Sequence, residues 1–188
     1  ASVSLSQFWG VRSIYIGTPR YYPGSAFTMV INAYDRSEES EPNVLELETV
    51  PSHILPDDAE EKGARLRSEL SVANAQSVWC FLAGGNCTGY QYSTQDWVAA
   101  VDFMKACAEE IGVQWLITTS RRTGIEAERE LRNRIDRARW VLRTSWYHTG
   151  TQEELAGFVG ASSHCVVTEE SISMISDCVS LGRQIFTW

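Results

Sequence analysis

Several signatures that would settle a function on their own are missing from this sequence. It contains no G-x-G-x-x-G turn and no G-x-x-x-x-G-K-[ST] loop, so neither a classical dinucleotide site nor a Walker-type ATPase is indicated. There is no C-x-x-C pair, and the five cysteines, Cys80, Cys87, Cys107, Cys165 and Cys178, are odd in number. Three of them fall within apolar strand or helix patterns, which fits reduced, structural thiols in a cytoplasmic setting better than a disulfide framework. His53, His148 and His164 show no ligand spacing with the cysteines, so no metal site is expected. Basic residues are in the minority: 16 Lys and Arg against 24 Asp and Glu leave a net charge of -8, which argues against tight nonspecific binding to nucleic acid. No apolar stretch is long enough to span a bilayer, and no signal-peptide pattern occurs.

What is present reads as a folded α/β chain. Its 188 residues are 44% hydrophobic and include seven Trp and seven Tyr, too many for a disordered polypeptide. The first part, residues 1–56, reads as a partial α/β domain. It has a helix over Ser2–Phe8 and short strands at Ser13–Ile16, Phe27–Ile31 and Asn43–Thr49, with a charged loop from Asp35 to Pro42. The chain thus looks as if it begins inside a domain. The prolines between Pro51 and Asp58 mark a linker, and residues 57–74 carry a connecting helix with Ala64, Leu66 and Leu70 turned inward.

Residues 75–188 are regular. Buried strands are expected at Ser77–Ala83, Val113–Thr118, Arg139–Leu142, Cys165–Val167 and Gln184–Trp188. The helices between them start at sequence-level capping boxes, Ser93–Asp96, Thr123–Glu126 and Thr151–Glu154. The first has Trp97, Val101, Met104, Ala108 and Ile111 on one face and stops at Gly112. The second turns Ala127, Leu131 and Ile135 inward and pairs Glu128 with Arg132 and Glu130 with Arg134 outward at i,i+4. The third carries Leu155, Phe158 and Val159. The last starts at a Ser171 cap and faces Ile172, Ile175, Cys178 and Val179 to the sheet. Strands that alternate with helices in this way imply a Rossmann-like parallel sheet with helices on both faces and right-handed crossovers.

Three polar turns follow strands, and in a parallel sheet they open on one edge. The first is Gly84-Gly85-Asn86, whose glycines allow close approach to the backbone. The second is Thr118-Thr119-Ser120-Arg121-Arg122. Two arginines at a helix N-terminus oppose the helix dipole, and a phosphate would relieve that conflict; the alternative is that they are solvated or pair with Glu169 or Glu170. The third runs from Thr168 through Glu170 and Ser171 to Ser173, where free N–H groups and hydroxyls suit an anion. Asp177, one turn past Ser173, is either a ribose acceptor or an exposed helix acid. His148 and His164 read as structural.

At these turns the sequence resembles a known family. Leu82-Ala83-Gly84-Gly85-Asn86, Ile117-Thr118-Thr119-Ser120-Arg121-Arg122-Thr123 and Val166-Val167-Thr168-Glu169-Glu170-Ser171-Ile172-Ser173-Met174-Ile175-Ser176-Asp177 are similar to stretches of the mitochondrial fission Elm-type family. Its bacterial members are regarded as glycosyltransferases, and its plant members act in mitochondrial fission. The resemblance is good from about Ser77 to Gly182 and weaker before it, where Gly17-Thr18-Pro19-Arg20 answers to an N-P-R turn.

The family in turn resembles two-domain GT-B glycosyltransferases, whose C-terminal domain holds a nucleotide-sugar. On that resemblance Gly84, Gly85 and Asn86 line the cleft near the diphosphate. Arg121 binds phosphate or shapes its turn, with Ser120 and Arg122 beside it. Ser171 and Ser173 meet the diphosphate, flanked by Thr168 and Glu170. Asp177 stands where related enzymes place a Glu for the ribose. Three departures accompany this: Asp177 is the shorter acid, Gly182-Arg183 lacks a following proline, and Ala33-Tyr34-Asp35 replaces a Glu-His-Asp turn of bacterial relatives.

The expected function is therefore donor binding in a GT-B-like glycosyltransferase, from a fragment or a reduced relative of the full enzyme. The nucleotide-sugar is its substrate, and no cofactor is needed. The acceptor lies at a membrane face, and the catalytic base is unassigned. The rival expectation is a non-catalytic adaptor that recruits a dynamin-related GTPase. Either way the chain is expected in the cytoplasm, peripheral at a membrane, and at the mitochondrial outer surface if it belongs to the plant-like branch.

Overall fold

The computed structural model describes residues 2–33, 41–150 and 155–188. Residues 35–40 of the expected Asp35–Pro42 loop, the Tyr34–Asp35 turn and the Thr151–Glu154 capping box lie outside the described residues. The chain divides into two compact units, Ala1–Pro51 and Ser52–Trp188.

The first unit contains helix α1 (Ser2–Trp9) and strands β1 (Ile14–Ile16), β2 (Met29–Asn32) and β3 (Val44–Glu46). The strands form a parallel sheet in the order β1-β2-β3. Its small core is Val3, Phe27 and Val30, with Tyr15, Ala26 and Val44 against it. Asn43, just before β3, ties that strand's start to the segment that leads into β2 by donating to the carbonyls of Gly24 and Phe27, both at 3.0 Å.

The second unit contains α2 (Pro56–Glu69), β4 (Val78–Ala83), α3 (Thr94–Ile111), β5 (Gln114–Thr119), α4 (Ile125–Ile135), β6 (Val141–Ser145), α5 (Leu155–Ala161), β7 (His164–Val167), α6 (Ile172–Ser180) and β8 (Gln184–Thr187). All five strands are parallel, in the order β6-β5-β4-β7-β8. The chain starts in the middle, winds outward to β6, then crosses back to β7. The order therefore reverses between β4 and β7, which is where open parallel sheets leave a crevice at their carboxyl edge. The architecture is Rossmann-like, as the alternation implied.

Alternating strand residues feed two cores because successive side chains point to opposite faces. Phe81, Trp115 and Ile117 pack with Trp97, Val101 and Met104 of α3 and Leu131 and Ile135 of α4. Cys80, Leu82, Leu116, Cys165 and Val167 pack with Leu66 of α2, Phe158 and Val159 of α5 and Cys178 of α6. All five cysteines are free thiols, three of them buried. Hydrogen bonding with Cys165, together with burial, pushes the Cys178 thiol well above the ordinary range, so it is a packing group at neutral pH.

Several local expectations are corrected. Strand β6 runs over Val141–Ser145 instead of starting at Arg139, because the chain before it is a turn with Arg137 at φ 60. Ala64 and Ile111 are exposed; Ala59, Gly63 and Leu66 form the inner face of α2, and α3 has turned its last residue outward. Ile172 and Val179 of α6 are likewise exposed, and Cys178 is the apolar residue that α6 buries. The Ser93–Asp96 capping box is formed, and Gly112 closes α3 in the left-handed conformation. The Thr123–Glu126 box is not: Gly124 is the N-cap, without a side-chain bond, and Thr123 is spent elsewhere. Among the described residues no helix is long and apolar enough to cross a membrane.

Candidate functional site

The three polar turns meet at the carboxyl edge of the second sheet, around the β4/β7 reversal. They are held to one another by side chains that bond backbone across the gap. Thr168 is fully buried, and its hydroxyl accepts from the Gly84 N–H at 2.7 Å. The Glu170 carboxylate accepts from the Gly85 N–H at 2.6 Å and from the Tyr92 hydroxyl at 2.8 Å. The Ser120 hydroxyl donates to the Gly84 carbonyl at 3.0 Å, and the Thr123 hydroxyl is directed at the Ala83 and Gly84 carbonyls. Glycine is required at both positions of this turn. A Cβ at Gly84 would overlap the Glu170 carboxylate and the Thr168 hydroxyl, and one at Gly85 (φ 150) would strike the Arg122 carbonyl.

This geometry changes the role of the Gly84–Gly85 turn. Its amides are already satisfied by Thr168 and Glu170, so an internal carboxylate sits in the place expected for a diphosphate. Glu170 itself is buried, and burial together with its hydrogen bond pushes the Tyr92 phenol up, so Tyr92 remains a donor at all physiological pH. The Arg122 guanidinium lies 3.6 Å from Glu170 and donates to the Ser171 hydroxyl at 3.1 Å. Ser171 therefore occupies the N-cap position of α6, but its hydroxyl serves Arg122 and caps no helix N–H.

The remaining predicted residues are placed as follows. Arg121 and Ser173 are exposed. Asn86 is exposed and accepts from the Tyr92 N–H at 2.7 Å, which closes the β4–α3 loop. Asp177 is neither an open ribose acceptor nor an exposed acid: it is buried and accepts from the Ser52 hydroxyl at 2.6 Å. His148 is exposed beside the Arg121 carbonyl at 3.1 Å. Among the described residues no group of three or more His, Cys, Asp or Glu side chains is placed to hold a metal ion.

Glu128 was expected to pair outward with Arg132 and does not. It is fully buried, and accepts from the Thr119 hydroxyl (2.6 Å), the His148 N–H (3.0 Å), and the Thr149 N–H and hydroxyl (2.6 and 2.7 Å). Arg132 donates instead to the Thr149 carbonyl at 2.9 Å. Glu130 and Arg134 do pair, at 2.6 Å. The outward reading of Glu128 missed a second spacing: with Leu131 and Ile135 it forms the i, i+3, i+7 stripe of the buried face.

Burial raises the Glu128 pKa, but the hydrogen bonds outweigh that, and the net shift is downward. A folded-state pKa below the unfolded one means that the stability gained from Glu128 is fully present above the ordinary glutamate value of about 4.3 and is lost as the pH falls through the folded value. Acid unfolding of Glu128→Gln is accordingly expected to be less steep below pH 4 than that of the wild type, as followed by circular dichroism.

Two cavities open beside the arginines. One, of about 510 Å³, includes Asn86, Tyr92, Trp97 and Arg122 in its lining. The other, of about 260 Å³, is lined by the carboxyl ends of β5 and β6 (Thr118, Thr119, Ser145), by Ser120, Arg121 and Tyr147, and by Leu155 and Met174. Tyr92, Tyr147 and Glu128 had no sequence signal that linked them to the turns, because their contacts are long-range.

The fold and site define a protein of the Rossmann-like α/β class whose polar and cationic groups gather at the switch point of a parallel sheet. The chain belongs to the mitochondrial fission ELM1 family, whose model matches residues 2–188. No curated protein matches it significantly.

Proposed function

We propose that the second unit binds a nucleoside diphosphate sugar and is the donor-binding portion of a GT-B-like glycosyltransferase. The observation that carries this reading is the placement of Arg121 in the wall of the 260 Å³ cavity, with its neighbour Arg122 in the wall of the 510 Å³ cavity on the same sheet edge. The cavity offers an aromatic ring, a thioether and hydroxyls to a nucleoside. The adjoining guanidinium groups offer donors to a diphosphate, and the buried Ser171 hydroxyl holds that of Arg122. Guanidinium groups at that point would neutralise charge on the departing nucleoside diphosphate as the sugar is transferred to an acceptor at a membrane face.

Calorimetric titration with UDP, GDP, ADP and CMP tests the reading. Saturable binding of one nucleotide is expected, weakened about tenfold or more in Arg121→Ala and in Arg122→Ala, as befits a charge-assisted hydrogen bond. A folded chain that binds none of them, or arginine variants that bind as well as the wild type, would count against it.

A second reading, a non-catalytic adaptor for a dynamin-related GTPase, is favoured by a different observation. The Gly85 amide is already occupied by Glu170. An adaptor that keeps its Rossmann-like core for stability would tolerate that self-filled turn, and would bind no nucleotide.

A further inference from the structure

The loop after β6 is held by an unusual device. Its amides at His148 and Thr149 converge on one buried carboxylate, Glu128, which reaches across from α4. The carboxylate also receives the Thr119 hydroxyl at 2.6 Å, and that same hydroxyl accepts the Tyr147 N–H at 2.9 Å. Glu128, Thr119 and Tyr147 thus form one chain of hydrogen bonds from the floor of α4 to the rim of the 260 Å³ cavity. A buried carboxylate is costly unless each of its lone pairs is used, and here neighbouring donors use them. A plain loop on the surface needs no such anchor, since water would satisfy its amides.

We infer that Glu128 is a positioning residue, which holds the Tyr147–Thr149 loop so that Tyr147 forms a fixed wall for the nucleoside in the cavity of Ser120, Ser145 and Met174. The inference rests on the donor-binding reading and deepens it. Glu128 touches no ligand. It acts through Thr119 and through the amides of His148 and Thr149. Nucleoside recognition and diphosphate recognition therefore have different supports: the first depends on Glu128, the second on Arg121 and on Arg122, which Ser171 holds, and the two touch where His148 meets the Arg121 carbonyl. A rigid aromatic wall strengthens binding because the loop does not have to be ordered when the ligand arrives.

The test measures three ligands on the whole chain: the nucleotide that the wild type binds best among UDP, GDP, ADP and CDP, the matching nucleoside, and inorganic pyrophosphate. Glu128→Ala is expected to weaken the nucleotide and the nucleoside tenfold or more and to leave pyrophosphate within twofold. Glu128→Gln keeps a carbonyl oxygen for the His148 and Thr149 amides and should recover most of the loss. Thr119→Val, which cuts the link to Tyr147 at nearly constant shape in the cavity wall, should weaken the nucleoside and the nucleotide but not pyrophosphate, and it decides the matter should the alanine variant fail to fold.

Unchanged nucleoside affinity in Glu128→Ala or Thr119→Val overturns the inference and leaves the donor-binding reading intact. Equal loss of nucleoside and pyrophosphate overturns it too, since that is the mark of general damage. A wild type that binds pyrophosphate and no nucleoside overturns it while sparing the diphosphate site; one that binds neither overturns both.

Discussion

Glu170→Ala is expected to destabilise the second unit by about 2–4 kcal/mol, because it orphans a buried Gly85 N–H and the Tyr92 hydroxyl together. It also leaves Arg122 without the carboxylate 3.6 Å away. Glu170→Gln separates shape from charge. A glutamine can present its carbonyl to Gly85 and its amide nitrogen to Tyr92, so most of the stability should return. The charge does not return, and Arg122 is then no longer neutralised by a neighbour. Pyrophosphate binding in Glu170→Gln is expected to tighten by about threefold to tenfold, the scale of a unit charge near a partly exposed cation. Urea denaturation and calorimetry read the two effects. Weaker pyrophosphate binding in a stable Glu170→Gln would mean that the carboxylate orients Arg122 more than it competes with the ligand.

Gly63→Ala should show the opposite of what helix propensity dictates. Within an ordinary helix the change stabilises by about 1 kcal/mol. At Gly63 of α2, however, a Cβ would run into the backbone of Gly160 and Ala161 on α5, and at Gly160 one would run into the Ala59 carbonyl. Backbone cannot move aside as a flexible side chain does. Destabilisation of about 2–3 kcal/mol is therefore expected for either Gly63→Ala or Gly160→Ala. Gly157 on the same α5 supplies the contrast. A Cβ there would lie 3.7 Å from the Lys62 Cβ, an ordinary contact, so Gly157→Ala should be neutral or stabilising. Thermal unfolding of the three variants distinguishes close helix packing from simple propensity, and a stabilised Gly63→Ala would disprove the close crossing of α2 and α5.

The site was legible to very different degrees. The Gly84–Gly85, Arg121–Arg122 and Thr168–Ser171 turns could be placed together from the chain alone, since each follows a buried strand and parallel strands end on one edge. What each side chain faces was not legible. Glu128 shares an i,i+4 spacing with Arg132 and an i,i+3 spacing with Leu131, so local pattern permits both faces. The decision came from loop amides about twenty residues on, gathered under α4 by the β5–β6 pairing. Thr123 has the spacing of a cap, yet it bonds the carbonyls of Ala83 and Gly84, forty residues earlier.

Sequence by itself determined the alternation of strands and helices, the two faces of the central strands, and the edge on which the polar turns lie. Those features follow from periods of 2 and 3.6 residues, which are properties of neighbouring positions. Tertiary structure alone decided that Glu170 fills the glycine turn 85 residues before it, and that Asp177 is closed off by Ser52. A buried carboxylate goes where unpaired donors are, and where those donors lie depends on how distant strands are ordered and how their helices rotate against the sheet.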